Sequence, residues 1–490
     1  MPEWCVTYDG WDPAGEGLRE ALCTLGNGFF ATRGATPESV ADGIHYPGTY
    51  VAGCYDRLDS AVAGRTVENE DLVNVPNWLP LSFRIEGGGW FDLDDVELLQ
   101  HTTELDLHHG LLTRRLLFRD DTGRSTRVVQ RRLVSMADQH LAALETTFVP
   151  QDWSGRMVVR AGLDGRVSNQ GVARYRDLNG AHLRPLTTGN DGVDGCWLQV
   201  ETMNSRIRIA EAARVRLTGA AAARTSFLHD DGWTSAELEF EVGQGQPVTV
   251  EKTVALFTSQ DKAIEETLPA ACTAVRRAPA FDAMVSAHAM AWDRLWSICR
   301  VVVHGKGGDG SPVATEDPQL TLDLYVFHLL QSLSEHTIEL DVGVPARGLH
   351  GEAYRGHVFW DELFVFGFYV VRLPEVARAL LLYRWRRLAQ ARWEAAAAGY
   401  RGAMYPWQSG SDGREETPTM HLNPRSSRWL PDNSALQRHV GIAVAYNVWR
   451  YHQATGDMAF LASHGAEMLL EIARFWASVT TYDGRFHRYE

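Results

Sequence analysis

With 490 residues and 47 basic against 62 acidic side chains, the chain carries a net charge of −15. That length holds about two to four domains, and the acidic balance argues against a nucleic-acid partner, which needs a basic face to displace counterions. At 45% apolar and 22% charged the composition is that of a globular protein, and no run reaches the ~18 apolar residues of a membrane span.

The start, Met1-Pro2-Glu3-Trp4, has neither the basic nor the apolar segment of a signal peptide. Six cysteines (Cys5, Cys23, Cys54, Cys196, Cys272, Cys299) are scattered without a C-x-x-C pair. This is the pattern of reduced thiols in a cytoplasmic protein, not of a disulfide framework or a zinc site. Sixteen tryptophans stand out beside 15 Tyr and 18 Phe. Most of these rings belong in a core; the remainder suit a groove for a sugar, whose C–H face stacks on an aromatic ring.

To about residue 260 the texture is that of strands. Short apolar or alternating runs are cut by turns at Gly87-Gly88-Gly89, Asp120-Asp121-Thr122-Gly123, Gly189-Asn190-Asp191-Gly192 and Gly243-Gln244-Gly245. Ala236–Val242 alternates with period two, and Leu116–Phe118, the Asp-Asp-Thr-Gly turn and Val128-Val129 predict a hairpin. A large antiparallel β-sandwich is expected. From Ile264 to Cys299 the pattern is helical, with Trp292 and Trp296 on one face. The patch His304–Pro312 lacks the G-K-[ST] of a phosphate loop and is taken as a linker. Helices follow near 320–335, 360–371, 375–398, 434–454 and 458–480. Between them lie long polar-aromatic loops at 341–359, 399–418 and 421–432, of the kind that carry function.

The first loop runs A-R-G-L-H-G-E-A-Y-R-G-H-V-F-W-D, ending at Trp360-Asp361; the second runs G-Y-R-G-A-M-Y-P-W-Q, ending at Trp407-Gln408. Each combines a tryptophan with carboxylate, amide or guanidinium groups, a mixture suited to a hexose. Taken singly, Trp407 reads as core and Arg355–Asp361 as an ion pair. Glu415-Glu416 reads as a solvated face. His108-His109, adjacent in a strand, would point to opposite faces, so no metal site is expected.

Both strings closely resemble glycoside hydrolase family 65, the inverting α-glucoside phosphorylases and hydrolases. Leu25–Phe29, Arg33-Gly34, Val73–Pro80, Gln437-x-His439, Ala445–Trp449 and Thr455–Asp457 extend the resemblance along the chain. It implies a multidomain β + α fold: an N-terminal antiparallel β-sandwich (1–262), a helical linker (263–315) and part of an (α/α)6 catalytic barrel (316–490). It implies that Arg355 and Asp361 hold hydroxyls of the transferred glucosyl unit, that Trp407 packs on it, and that Trp360 and Gln408 complete the substrate-binding set. Position 408 is commonly Glu in the phosphorylases, so the uncharged Gln408 favours a hydrolase. The family string has one more residue after Trp-Asp, which leaves Glu362 without an implied role.

The implied substrate is a glucose disaccharide such as trehalose, maltose or kojibiose. No cofactor, metal, nucleic acid or membrane is implied; inorganic phosphate is the co-substrate of a phosphorylase, and a homodimer is the implied assembly. The family's general acid, a Glu in a G-P-D-E string, is expected beyond Glu490, since no such string occurs among these residues. The chain is therefore expected to be cut within its barrel, to expose apolar helix faces and to be inactive alone. The competing expectation is a non-catalytic carbohydrate-binding or regulatory protein, or the remnant of a decayed gene.

Overall fold

The computed structural model describes residues 4–62, 64–303 and 318–489. Met1–Glu3, the glycine-rich patch 304–312 and Glu490 lie outside them. The chain forms two compact units, Met1–Tyr50 with Asn74–Ser168 and Leu183–Gln331, and Val51–Val73 with Asn169–His182 and Ser332–Glu490.

The first unit is an antiparallel β-sandwich. Its nine-stranded sheet runs, edge to edge, Cys5–Asp9, Glu97–Asp106, Leu111–Arg119, Ser125–Val134, Leu141–Pro150, Val248–Thr258, Arg208–Thr218, Gly195–Thr202 and Leu183–Asp191. A four-stranded sheet runs Ala222–Asp230, Trp233–Val242, Gly155–Asp164 and Leu81–Ile85. The predicted hairpin pairs Leu116 with Val128. Along Trp233–Val242, Leu238, Phe240 and Val242 are buried while Glu237, Glu239 and Glu241 turn outward, the period-two alternation of a half-buried strand. The sheets meet where Phe83 of the smaller packs on Phe118 and Phe148 of the larger, ring centroids 5.9 and 4.9 Å away. Lys252, fully buried, donates to the carbonyls of Trp78, Pro80 and Gly162. Burial pulls its amine down to about 7.

Helix α1 (Pro13–Leu22) interrupts the strands expected there. Its signals were local: Asp12 caps it by accepting from the Ala14 amide, and Pro13 opens it, but Gly15 and Gly17 dilute the periodicity. The helix expected over 264–299 is two, α2 (Thr267–Arg277) and α3 (Phe281–Cys299), broken at Pro279, which cannot continue an α-helix. Arg214 donates to the freed carbonyls of Arg276 and Ala278. Trp292 and Trp296 share the buried face of α3 as their spacing predicts, ring centroids 6.1 Å apart. Helix α4 (Pro318–Ser332) follows.

The second unit carries α5 (Glu362–Arg372), α6 (Pro374–Arg386), α7 (Leu388–Ala397), α8 (Val440–Thr455) and α9 (Ala466–Val479). The helix expected over 375–398 breaks at Arg387, whose guanidinium donates to Asp341 and to the carbonyls of Tyr383 and Ser411. The 421–432 loop is a hairpin, Met420–Asn423 paired with Arg428–Pro431. Among the described residues no helix is long and apolar enough to cross a membrane. The six cysteines are all buried and none forms a disulfide.

Helices α5 and α8 pack together, yet each keeps an apolar stripe at helical spacing in solvent: Phe364 and Val371 on α5, Ile442, Tyr446 and Trp449 on α8. The chain is expected to self-associate through this stripe as concentration rises. In static light scattering, Ile442→Ser with Trp449→Ser should move the mass toward that of a monomer; an unchanged mass would remove the stripe as the cause.

Candidate functional site

Each motif loop is shaped by its backbone before any side chain acts. Tyr354 and Arg355 both adopt left-handed φ of 56°, followed by Gly356 at 68°. Two consecutive non-glycine residues in that region store strain of about 1–3 kcal/mol each, a feature concentrated at functional sites. A side chain at Gly356 would strike Leu72, its Cβ 2.3 Å away. The Gly356 carbonyl accepts from the buried Tyr55 hydroxyl at 2.6 Å. The result is a buried Arg355 directed by a turn that ordinary backbone would not adopt.

The two loops meet through their main chains. Val358 and Ser409 exchange both amide-to-carbonyl bonds, at 2.9 and 3.0 Å, and Val358 also bridges to Pro345. This brings Trp360-Asp361 and Trp407-Gln408 to one cavity of ≈ 490 Å³. Arg355, Trp360, Asp361, Trp407 and Gln408, all five expected from the sequence, line it. So do Val67 and Asn69, Tyr175, and the hairpin residues Met420, His421 and Trp429.

Gln408 is held on three sides. Its side-chain oxygen accepts from Arg355 at 3.4 Å and pairs with His357 Nδ1 at 3.0 Å, and its backbone amide donates to Glu415 at 3.2 Å. Burial and the Arg355 charge push His357 down to about 3, so the ring is neutral and donates from Nδ1. With the oxygen committed, the Gln408 amide nitrogen is left for a ligand acceptor. Arg355 also donates to the Glu416 carbonyl. Among the described residues Asp361 has no ion-pair partner; it caps α5 without a side-chain capping bond, which leaves its exposed carboxylate available to hydroxyls. Arg355 and Asp361 therefore do not form an ion pair with each other.

Glu362 acquires a role the sequence did not supply. It is buried and pairs with the buried Arg384 (Nε to Oε1 2.9 Å), and Arg384 also donates to the Phe359 carbonyl at 3.0 Å. This pins the turn that carries Trp360-Asp361. His439 is the other residue that motif reasoning left out of the site: its ring stands edge-on to both Trp360 and Trp407, at 5.3 and 5.4 Å, and props them. Its sequence signal is the Gln437-x-His439 string.

Glu415 and Glu416 are not the solvated face expected of them. Glu415 accepts from the amides of Trp407 (2.7 Å), Gln408 (3.2 Å) and Thr417 (3.0 Å) and from the Thr417 hydroxyl (2.6 Å). Burial raises its pKa, and these four donors oppose the shift. Glu416 pairs with Arg57, which also meets Glu70 at 3.2 Å. Burial and the Glu70 charge push the Glu416 carboxyl up to about 7, against Arg57. Glu70 in turn accepts the Ser411 amide at 3.0 Å. A side chain at Gly410 would lie 1.6 Å from the Glu70 carboxylate, which would have to move off its Ser411 contact. Local hydrogen bonding by acidic residues, invisible to a charge count, turns this pair into the frame of the second loop.

His108 and His109 lie in the turn after Glu97–Asp106, not in a strand, because Asp106 accepts both of their backbone amides. Their rings are 4.5 Å apart, with His108 Nε2 3.2 Å from Asp293 and His109 Nδ1 2.7 Å from Asp106. The expected opposition of the two rings is thus corrected by the turn; neither histidine lines the cavity.

Residues 6–295 match the family model described as glycosyl hydrolase family 65, N-terminal domain, and residues 323–490 match the glycosyl hydrolase family 65 central catalytic domain. An uncharacterized glycosyl hydrolase of Mycobacterium tuberculosis is 48% identical, over 99% of this chain and 36% of the relative. A kojibiose phosphorylase of Caldanaerobacter subterraneus is 34% identical, over 100% of this chain and 62% of the enzyme. The trehalose 6-phosphate phosphorylase of Lactococcus lactis is 33% identical, over 99% and 61%. A solved structure of a candidate kojibiose phosphorylase from the human microbiome shares the fold at a TM-score of 0.83 and 20% identity, covering 99% of this chain and 61% of that one. The chain thus spans about a third of the mycobacterial relative and about three fifths of the phosphorylases. With both of its family models matched in order and its two motif loops closed on one cavity, the chain belongs to glycosyl hydrolase family 65.

Proposed function

We propose that this chain carries the glucosyl-binding part of an inverting α-glucoside-processing enzyme, a phosphorylase or hydrolase of a glucose disaccharide such as trehalose, kojibiose or maltose. The observation that carries this reading is the convergence of Arg355, Trp360, Asp361, Trp407 and Gln408 on one cavity, with the Asp361 carboxylate and the Gln408 amide nitrogen both uncommitted. In the proposed roles Asp361 accepts from adjacent hydroxyls, Arg355 and Gln408 hold further oxygens, and Trp360 and Trp407 cover the apolar face of the ring.

Inversion requires an acid on the leaving oxygen and a nucleophile on the opposite face, either water with a base about 6.5–9.5 Å from the acid or phosphate. Phosphate is already anionic and needs no base, and neither route requires a metal or organic cofactor. The cavity wall holds two carboxylates, Asp361 and Asp432, and Asp432 sits 3.4 Å from His421. With Asp361 given to hydroxyls and Asp432 set beside His421, the chain alone is proposed to bind without turnover. Six buried cysteines outside any disulfide support a reducing, cytoplasmic setting. The organisation proposed is a sandwich over 1–262, a linker over 263–315 and barrel helices over 316–490, in a homodimer.

Isothermal titration with trehalose, kojibiose and maltose tests the reading. At least one should bind, and Asp361→Asn should weaken it by about 1.5–3 kcal/mol, roughly tenfold to over a hundredfold. Failure of all three to bind would refute it, and robust glucose or glucose 1-phosphate release would refute the inactivity.

A further inference from the structure

We propose that the sandwich binds a small inorganic anion of the chloride class beneath α1, held by Arg132, Arg114 and Thr36. None of the three lines the sugar cavity, and the inference does not depend on the glucoside reading.

Arg114 and Arg132 stand on neighbouring strands, Leu111–Arg119 and Ser125–Val134. The register sets Arg114 opposite Gln130 and Leu112 opposite Arg132, so the two arginines are diagonal neighbours on one face of the sheet. Residues of α1 and of the 34–37 segment complete a second cavity over that face, of ≈ 30 Å³, lined by both arginines, Thr36, Cys23 and His101. Arg114 is 6% and Arg132 5% exposed.

The charges around this cavity pair off and leave one cation over. Arg19 pairs with Glu16 at 2.9 Å, Arg33 and His45 share Glu20 at 3.4 and 2.8 Å, and Arg114 pairs with Glu38 at 2.5 Å. Arg132 donates from Nη1 to the Ala35 carbonyl at 2.6 Å, and among the described residues it has no carboxylate at ion-pair distance. Burial, with the Arg114 charge beside it, brings Arg132 down to about 10, which leaves it a cation at neutral pH. Cys23 does not supply the counter-charge, because burial pushes its thiol up to about 12. His101 is neutral, pulled down to about 4 by burial and the Arg114 charge, and its Nε2 accepts from Arg114 Nε at 3.1 Å.

Unmet donors face the same space. Arg114 gives Nη1 to Glu38 and Gln130, but its Nη2 is out of solvent without a hydrogen-bond partner, and so is the Thr36 hydroxyl. A buried charge is costly unless it is both paired and hydrogen-bonded. A water could accept two of these bonds but would leave the Arg132 charge unanswered; an anion meets both needs. Size sets the class. A water takes about 10–15 Å³ of such space, so this cavity admits a monatomic ion and excludes a sugar or a phosphate ester.

The test uses the full chain, melted in sodium chloride and in sodium gluconate at equal ionic strength. Chloride should raise the melting temperature along a saturating curve, by about 5 °C at a hundred times the half-saturating concentration, and gluconate should not. The difference should vanish in Arg132→Met and shrink in Thr36→Val. A chloride effect that is linear in concentration, or one that persists in Arg132→Met, overturns the proposal. Crystals of the unaltered chain soaked in sodium bromide decide the matter independently, even where a variant fails to fold. An anomalous peak within hydrogen-bond reach of Arg132, Arg114 Nη2 and the Thr36 hydroxyl is the expected result; water alone at that position overturns the proposal.

Discussion

Replacing His182 with alanine is expected to destabilise the second unit by about 3–5 kcal/mol, the cost of leaving buried charges without their counter-ion. His182 is nearly inaccessible and lies between two buried carboxylates, Nδ1 3.2 Å from Asp56 and Nε2 3.4 Å from Asp71. Asp71 also accepts from Asn69, whose own oxygen pairs with Ser60 at 2.6 Å, and Asn69 lines the cavity. Burial opposes the imidazolium, but hydrogen bonds and charge from Asp56 and Asp71 outweigh it and raise His182 to about 9.

A histidine raised above its ordinary value of about 6.5 contributes stability that is fully present below that pH. The contribution is lost as pH climbs through about 9. Unfolding free energies from urea melts across that window should fall with rising pH in the parent chain, by of order 3 kcal/mol in total. They should stay flatter in His182→Ala. An unfolding free energy in the variant within about 1 kcal/mol of the parent would mean that the triad is not the anchor described.

The second large effect is expected at Glu415. Its carboxylate collects three backbone amides and a hydroxyl, and two of those amides belong to Trp407 and Gln408. Hydrogen bonds to a charged acceptor contribute about 1.5–3 kcal/mol each, and donors left buried without a partner add a penalty. Glu415→Ala should therefore weaken glucoside binding at least about thirtyfold, roughly 2 kcal/mol, and blunt the tryptophan fluorescence response. Glu415→Gln keeps one side-chain oxygen to accept the Gln408 and Thr417 bonds and should restore part of the affinity. A merely structural residue would lower the melting temperature in both variants without this graded loss; equal binding by all three proteins would sink the assignment.

Much of the site was legible because its chemistry sits in two contiguous strings. Arg355, Trp360, Asp361, Trp407 and Gln408 are each within a few residues of a glycine or proline that shapes the turn, and such spacing survives in one dimension. Their supports were not legible. Glu362 meets Arg384, Glu70 meets Ser411 and His182 meets Asp56, pairs whose separation along the chain carries no periodic signal. The acidic pair Glu415-Glu416 misled for the same reason: charge predicts exposure until neighbouring amides are found to satisfy it.

By itself the sequence determined the alternating strands of the sandwich, the helical second half and the two motif loops. These are decided by local periodicity and turn chemistry, which each segment carries alone. Tertiary structure decided that Val51–Val73 and Asn169–His182 join the second unit, contributing Asn69, Arg174 and Tyr175 to the cavity wall. It also broke the long helix at Arg387 and folded the 421–432 loop into a hairpin. Those outcomes depend on which distant groups satisfy a buried carbonyl, carboxylate or guanidinium, and that pairing exists only once the chain has closed on itself.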